Sequence, residues 1–137
     1  MNIQKCTLSD CALLAAMNKQ LIEDEKHDNS MSLDQLTQRM REFLAGGYGA
    51  YLFSTGEESV GYALVNESLS PKYLRQFFIC RDHRRKGYGR AFFNRLMEFL
   101  GEKTIDLEVL WWNKSAIQFW EELGFSPRSI YMCYRQE

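Results

Sequence analysis

The spacing of apolar residues along the chain predicts alternating helices and strands. Four stretches repeat apolar residues every three or four positions, which is typical of helices with one buried face; they cover about 9–22, 33–44, 91–100 and 117–123. Six shorter stretches cluster or alternate apolar residues, and we interpret them as strands: 2–6, 48–54, 59–67, 74–80, 104–110 and 129–135. Glycines follow three of the predicted helices, at Gly46-Gly47, Gly101 and Gly124, where they favour helix termination.

The order of these elements predicts a single α/β (α+β) domain over residues 1–137. The polar link 55–58 should join its neighbouring strands into an antiparallel hairpin. Strand 74–80, helix 91–100 and strand 104–110 form a βαβ unit, whose two strands should run parallel through a right-handed crossover. The expected result is a mixed, mostly antiparallel sheet with helices packed on it.

Composition and charge exclude several classes of function. The chain is 45% hydrophobic and 26% charged, with a formal net charge of −1, which is ordinary globular usage and argues against nucleic acid as the main partner. The sequence has no apolar leader and no apolar run of about 18 residues, so we expect a cytoplasmic protein without a membrane partner. The four cysteines form no CxxC pair and no histidine stands at metal-ligand spacing, so we expect free thiols and no metal.

The most informative stretch is the basic loop Arg84-Arg85-Lys86-Gly87-Tyr88-Gly89-Arg90, between a predicted strand and a predicted helix. The first N–H groups of a helix have no partners within it and carry the positive end of its dipole, so they attract anions. Because glycine lacks a Cβ, Gly87 and Gly89 would let the backbone come close to a phosphate. Taken alone, the loop predicts either a pyrophosphate cradle or an ordinary turn with a solvated basic face.

Two known phosphate-binding motifs do not fit this loop. A P-loop requires Gly-x-x-x-x-Gly-Lys-[Ser/Thr], which the sequence lacks. A dinucleotide fingerprint requires a third small residue where Phe92 stands, although Asp106 and Glu108 lie at a suitable distance for its acidic residue. The chain is also short for two mononucleotide-binding halves, so both motifs are disfavoured.

Two spaced motifs resemble those of the GCN5-related N-acetyltransferases. Arg84-x-x-Gly87-x-Gly89 is similar to the acyl-CoA loop of that family, and Asn113-x-x-Ala116-x-x-x-Trp120-x-x-x-Gly124-Phe125 is similar to its second signature. The element order and the length also match, so the resemblance covers nearly the whole chain. It implies helices on both faces of the sheet, a splayed parallel strand pair, acetyl-CoA as co-substrate and a small-molecule amine as acceptor. A homodimer is left open.

The resemblance also implies which residues contact coenzyme A. The backbone of 85–90 would hold the pyrophosphate, the backbone at the end of strand 74–80 would pair with the pantetheine arm like an added strand, and Asn113 would hydrogen-bond that arm. The implied cofactor-binding residues are Phe78, Ile79, Cys80, Arg84, Arg85, Lys86, Gly87, Tyr88, Gly89, Arg90 and Asn113.

Two positions depart from the family pattern. Gln76 stands where many relatives carry a glutamate base, and an amide cannot take up a proton. Trp120 replaces the usual tyrosine, whose hydroxyl is thought to protonate the leaving thiolate. The resemblance leaves Glu108 as the expected base, although it could be only an exposed or salt-bridged strand residue. Tyr131 and Tyr134 are the candidate acids, and aromatic packing is the alternative for both.

Acidic residues between the first two helices predict the nature of the acceptor. Glu23, Asp24 and Glu25 lie in a segment that borders the acceptor site in this family, where they would favour a cationic amine. The alternative is a solvated acidic linker. We expect transfer of an acetyl group from acetyl-CoA to a primary amine by direct attack. The other readings of the sequence are a non-catalytic acyl-CoA-binding module and an acetyltransferase that acts on a protein or peptide amine.

Overall fold

A five-stranded sheet with the order β1-β2-β3-β4-β5 lies at the centre of the fold. It is seen in a computed structural model, which describes residues 1–84 and 86–136. The strands are β1 Asn2–Lys5, β2 Tyr48–Thr55, β3 Glu58–Asn66, β4 Lys72–Ile79 and β5 Ile105–Asp106. The helices are α1 Cys11–Asp24, α2 Leu33–Ala45, α3 Tyr88–Leu100 and α4 Lys114–Glu122, with 3₁₀ turns at Leu8–Asp10 and Arg81–His83. Among the described residues, no helix is long and apolar enough to cross a membrane.

Side-chain caps explain where two of the helices begin. At the start of α2, Ser32 Oγ accepts a hydrogen bond from the Gln35 N–H, and Gln35 Oε1 accepts one from the Ser32 N–H. This reciprocal pair satisfies two backbone donors that the helix itself cannot. At the start of α4, Asn113 Oδ1 accepts from the Ala116 N–H. Ser32 directly precedes the predicted helix 33–44, and Asn113 lies four residues before the predicted helix 117–123.

The strand pairing confirms the predicted hairpin and the predicted parallel pair. Strands β1, β2, β3 and β4 pair antiparallel in sequence order, and β4 pairs with β5 in parallel. The parallel ladder is short, because only Lys72 and Tyr73 of β4 face residues of β5. The predicted strand 104–110 was therefore too long.

A bulge in β4 lies where the parallel pair ends. Leu64 of β3 faces Gln76 whereas Val65 faces Leu74, so Arg75 is an extra residue in β4. A bulge bends its strand and increases the local twist. The bend begins two residues after Tyr73, so β4 continues to Ile79 without β5 beside it. The two parallel strands thus stop pairing after Tyr73 and Asp106. We call the unpaired region between β4 and the segment 107–110 the gap.

Helices cover both faces of the sheet, and each face has its own apolar core. On one face, Phe53, Val65 and other sheet residues pack against Phe92 and Leu96 of α3 and Trp120 of α4. On the other face, Tyr62 and Leu64 pack against Leu14 of α1 and Met40 of α2. The alternation of side chains along each strand places neighbouring residues in different cores. Polar residues of β4 that point to the α1/α2 face therefore lie beneath those two helices.

The predicted last strand, 129–135, is not present. Residues 125–136 form no regular secondary structure, and Ile130, Tyr131, Met132 and Tyr134 are all at least 80% exposed. A strand needs a neighbouring backbone for its hydrogen bonds and a surface that covers its apolar side chains. The outer strand β5 offers an edge of only two residues, which is too short to hold the segment.

Candidate functional site

Beyond Tyr73, the edge of β4 that faces the gap forms no ladder with β5. The Cys80 N–H donates to Val60 O, toward β3, at 2.8 Å. Because backbone groups alternate in direction along a strand, the Ile79 carbonyl points to the opposite edge. Arg84 Nε donates to that carbonyl at 2.8 Å. The residues predicted to contact the pantetheine arm, Phe78, Ile79 and Cys80, thus lie at the end of β4 beside the gap.

The helix α3 begins with unpaired backbone donors. Its cap residue Gly87 has a φ of 78° and no side chain caps the helix. The first helical hydrogen bond runs from the Ala91 N–H to Gly87 O, at 3.2 Å. The N–H groups of residues 88–90 therefore have no helical partner. A Cβ at Gly87 would meet nothing within 4 Å, so this helix end is open to an anion.

The two glycines of the loop have different structural roles. The left-handed φ of Gly87 is a conformation that glycine adopts without strain. Gly89 lies inside the first turn of α3, where a Cβ would stand 3.0 Å from a ring carbon of Phe119. The lack of a Cβ at Gly89 therefore allows α3 to pack closely on α4. Glycine at position 89 is thus explained by the contact between α3 and α4.

The cationic side chains of the loop are not equivalent. Arg84 donates hydrogen bonds to Asp24 and to the Ile79 carbonyl. Its guanidinium group is therefore engaged by other parts of the protein. Arg90 and Lys86 are exposed, and Arg90 Nη2 makes a long contact of 3.4 Å with Glu122 O. The predicted contact of Arg85 lies outside the described residues. The positive charge around the open helix end therefore comes from Lys86 and Arg90 among the described side chains.

Asp24 joins the end of α1 to the segment after β4. Arg81 Nε and Nη2 both donate to Asp24 Oδ1, at 2.9 and 2.6 Å, and Arg84 Nη2 donates to Oδ2. Burial alone would raise the pKa of the Asp24 carboxyl, but the hydrogen bonds from Arg84 and Arg81 outweigh it and lower the pKa. Glu23 lies 3.7 Å from Arg81 Nη2. Two of the three predicted acceptor-binding carboxylates thus face arginines of the protein.

Glu25 is the third of these acidic residues, and it is placed differently. Its carboxyl is partly buried, which raises its pKa, and the charge of His27 opposes that effect. Its backbone carbonyl accepts a hydrogen bond from Trp112 Nε1, at 3.0 Å. This contact links the segment after α1 to the segment after β5. Glu25 therefore lies beside the segment that follows β5.

Glu108, the predicted base, is exposed and contacts Tyr73. The Tyr73 hydroxyl donates to Glu108 Oε1 at 3.1 Å. Burial raises the pKa of Tyr73 to about 12, with a further contribution from the hydrogen bond to Glu108. Tyr73 thus remains protonated near neutral pH and acts as a donor. Tyr73 was not among the predicted site residues, because an aromatic residue in a strand carries no signal of such a contact until the parallel register is known.

Gln76 and Trp120, the two departures from the family pattern, are both held by internal contacts. The Tyr62 hydroxyl donates to Gln76 Oε1 at 2.7 Å. Trp120 is 8% exposed, and its ring centroid lies 5.2 Å from that of Phe77 and 5.6 Å from that of Phe93. Trp120 is therefore a core residue packed edge-on against other aromatic rings.

The remaining predicted site residues are Asn113, Tyr131 and Tyr134. Asn113 uses its side-chain oxygen as the cap of α4, so its amide nitrogen is the group that could donate to a ligand. Tyr131 and Tyr134 are 81% and 88% exposed. Their predicted role as acids stays a prediction. Cys80 beside the gap has a thiol whose pKa burial raises, which disfavours the thiolate that a nucleophile requires.

The chain matches one protein family over most of its length. Residues 14–125 match the family described as acetyltransferase (GNAT) family. The comparison with curated protein sequences gives no match. Each of the three similar solved structures below is less than 25% identical to this chain, so their likeness shows the fold.

A predicted acetyltransferase with acetyl-CoA from Clostridium acetobutylicum has a TM-score of 0.73 and 15% identity, and the match covers 98% of this chain and 95% of that one. An aminoglycoside antibiotic 6'-N-acetyltransferase from Acinetobacter haemolyticus has a TM-score of 0.75 and 13% identity, with 100% and 99% covered. A ribosomal-protein-alanine N-acetyltransferase from Brucella melitensis biovar Abortus 2308 has a TM-score of 0.73 and 14% identity, with 98% and 99% covered.

Proposed function

This chain belongs to the acetyltransferase (GNAT) family, and we propose that it transfers the acetyl group of acetyl-CoA to a primary amine by direct attack on the thioester. The observation that carries the proposal is the open N-terminus of α3 beside the splayed strands β4 and β5. Its unpaired N–H groups and the space around Gly87 suit a pyrophosphate. The free edge of β4 suits an extended amide-bearing arm.

In this proposal the residues of the loop and of β4 hold acetyl-CoA. The backbone of residues 86–90 binds the pyrophosphate, with Lys86 and Arg90 as nearby charges. Backbone groups of Phe78, Ile79 and Cys80 pair with the pantetheine arm, and the Asn113 amide donates to it. Because Arg84 occupies the Ile79 carbonyl, the arm has to compete with that side chain for this one backbone group.

Glu108 accepts the proton of the attacking amine, directly or through a water. A lysine-like amine with a pKa of about 10.4 is deprotonated roughly once in 2,500 molecules at pH 7, which corresponds to about 4.6 kcal/mol. A carboxylate at the gap removes this proton near the thioester. The hydrogen bond from Tyr73 keeps the carboxylate in position. The raised pKa of the Cys80 thiol supports direct attack over an acyl-enzyme.

The leaving thiolate requires little assistance. Its pKa is near that of free cysteine, about 8.5, so it is a stable leaving group close to neutral pH. Tyr131 and Tyr134 are exposed, and the charge of Glu108 adds to the larger effect of Cys133 in raising the pKa of Tyr131. We assign the acid role to one of these two tyrosines or to water.

The acceptor is a small molecule whose amine approaches from the α1/α2 face. Glu25 is the acidic residue best placed to attract its ammonium group, because Asp24 and Glu23 face Arg81. Asp24 and Glu23 contribute by linking the end of α1 to Arg81, in the segment after β4. A non-catalytic acyl-CoA-binding module is the second candidate, and the amide of Gln76 and the buried Trp120 favour it. The third candidate is an acetyltransferase that acts on an amine of a protein or peptide.

Release of thiol from acetyl-CoA tests the proposal. The purified protein is incubated with acetyl-CoA and a panel of polyamines, aminoglycosides, amino acids and peptides, and thiol is measured over time. We expect steady release with at least one class of amine, well above the rate without amine. Binding of coenzyme A without amine-dependent release across the panel would instead support the binding module. Absence of coenzyme A binding would overturn the site itself.

A further inference from the structure

Two partly buried hydrogen bonds, Arg39 to Asn18 and Tyr62 to Gln76, lie under α1 and α2 near the bend in β4. Arg39 Nη2 of α2 donates to Asn18 Oδ1 of α1 at 2.9 Å, and Asn18 is 1% exposed. Asn18 also adjoins the Tyr62 hydroxyl, whose pKa is raised by burial against the smaller, lowering effects of Arg39 and Asn18. Tyr62 donates to Gln76 Oε1. Since this oxygen is occupied, Gln76 has its two amide N–H groups left to offer to a ligand.

The guanidinium groups of Arg39 and Arg75 both contact the ring of Phe43. The guanidinium carbons of Arg39 and Arg75 lie 5.4 and 5.0 Å from the ring centroid of Phe43. Arg39 Nε is buried and has no hydrogen-bond partner. Within residues 1–84 and 86–136, no carboxylate forms an ion pair with either arginine. Burial, followed by the charge of Arg75, lowers the pKa of Arg39, as expected for two like charges that share a site.

The two arginines lie close to the gap. Arg75 is the bulge residue of β4, two positions after the last residue paired with β5. Its charge reaches the Tyr73 hydroxyl, where it opposes the larger effects of burial and of Glu108 on the pKa. Tyr73 is the donor to Glu108. The cluster of donors therefore adjoins the predicted base on the α1/α2 face.

We propose that Arg39 and Arg75 bind a carboxylate of the acceptor, so that the acceptor is an amino acid or another amine that carries a carboxylate. This inference rests on the proposed function of the same site. Guanidinium groups match the planar geometry of a carboxylate through paired N–H donors, and Gln76 adds further donors. A carboxylate would neutralise the two like charges. The amine of the same molecule then lies toward Glu108. Polyamines and aminoglycosides have no carboxylate for this cluster.

Matched substrates test the inference. Thiol release is measured with a panel of amino acids, with the carboxamide of each and with its aminophosphonate analogue. We expect kcat/KM to be about 10- to 100-fold higher for an amino acid than for its amide, because charged hydrogen bonds are lost in the amide. Equal values for acid and amide would overturn the inference while leaving amine acetylation intact. A consistent preference for the phosphonate would overturn the assignment of a carboxylate.

Variants of Arg75 give a second test. Arg75 is exposed, so Arg75→Gln should fold, which its thermal midpoint checks. We expect Arg75→Gln to raise the KM of the amino acid by roughly tenfold with little change in kcat or in the KM of its amide. Arg75→Lys should lie between Arg75→Gln and the parent protein, because it keeps the charge without the paired donors. Arg95→Gln, an exposed arginine of α3, is the control and should change neither constant.

A binding measurement keeps the inference testable if no amine is acetylated. Calorimetry with an N-acetylated amino acid and the coenzyme A complex should show binding that is roughly tenfold weaker in Arg75→Gln and unchanged in Arg95→Gln. Equal binding to all three proteins would overturn the carboxylate site. Absence of thiol release with any amine would overturn the proposed function, so the two failures are distinguishable.

Discussion

The Tyr73 hydroxyl donates a hydrogen bond to Glu108 Oε1, at 3.1 Å, across the point where β4 and β5 separate. Tyr73 is the last residue of β4 that faces β5, and its partner in the ladder is Asp106. Glu108 lies two residues further along, on the same side of the extended chain as Asp106. Because the pKa of Tyr73 is about 12, the hydroxyl donates at all pH values near neutral. The carboxylate is thereby held at the mouth of the gap.

Replacement of Glu108 by glutamine should remove the base and keep its shape. We expect kcat to fall about 100-fold or more at pH 7, with the KM of acetyl-CoA unchanged. Asp106→Asn is the matched control, because it removes an exposed carboxylate from the same segment. The comparison is made by measuring kcat and the KM of acetyl-CoA for the parent protein and both variants between pH 6 and 9. Full activity of Glu108→Gln across this range would contradict the mechanism.

Replacement of Tyr73 by phenylalanine should release the Glu108 carboxylate from its position. We expect a loss of kcat smaller than that of Glu108→Gln, because the base is still present but less well oriented. The double variant should be no slower than Glu108→Gln alone, since both changes affect the same group. A double-mutant cycle on kcat measures this. If the fold-losses of kcat in the two single variants multiply in the double variant, Tyr73 does not act through Glu108.

Substitution of Gly87 should distinguish charge from backbone strain at the open end of α3. Aspartate and asparagine have almost the same shape, and asparagine tolerates a positive φ better than most residues. We expect Gly87→Asp to abolish coenzyme A binding through repulsion of the pyrophosphate, and Gly87→Asn to retain much of it. Isothermal calorimetry with coenzyme A measures both. Normal binding by a folded Gly87→Asp protein would show that the pyrophosphate lies elsewhere.

Trp120 should affect stability and leave the chemistry nearly unchanged. The ring is buried among aromatic residues of α3, α4 and β4, so Trp120→Ala should lower the free energy of unfolding by about 3–5 kcal/mol. Trp120→Phe keeps an aromatic ring and should lower it by much less. Urea denaturation gives the stability, and kcat of Trp120→Phe gives the chemistry. A large loss of kcat in a stable Trp120→Phe protein would assign the indole a role in the reaction.

Asp24 accepts hydrogen bonds from Arg81 and Arg84, and we call this group the Asp24 clamp. The clamp should make the stability of the fold depend on pH in the acid range. The hydrogen bonds from Arg84 and Arg81 lower the folded-state pKa of Asp24 below the unfolded value of about 3.9. The clamp therefore contributes fully above that unfolded pKa, and the contribution is lost as the pH falls through the lower, folded pKa. We expect Asp24→Asn to unfold at a lower temperature than the parent protein at pH 7, and the difference to shrink below about pH 4.

Thermal scans at a series of pH values measure the difference, with Asp82→Asn as an exposed control close to the clamp in sequence. A difference between Asp24→Asn and the parent that is the same at pH 7 and at pH 3 would show that the charge of Asp24 does not stabilise the fold.

The sequence by itself determined the elements whose causes are local. The capping box of Ser32 and Gln35, the cap at Asn113 and the glycines after the helices each involve residues a few positions apart, so their pattern is readable before folding. Apolar periodicity predicted both the hairpin of β2 and β3 and the βαβ unit, and the two spaced motifs identified the family. The predicted hairpin, the predicted parallel pair and the predicted family are confirmed. The roles of the individual site residues stay predictions.

Only the tertiary structure decided which distant side chains meet. The contact of Tyr73 with Glu108 depends on the register of a parallel pair, and the bulge at Arg75 depends on the pairing of β3 with β4. The clamp on Asp24 joins residues about 60 positions apart. The predicted last strand was wrong for the same reason: its alternating pattern is local, but a strand forms only where a neighbour offers an edge, and β5 is two residues long. Periodicity along one segment carries no information about what the fold places beside it.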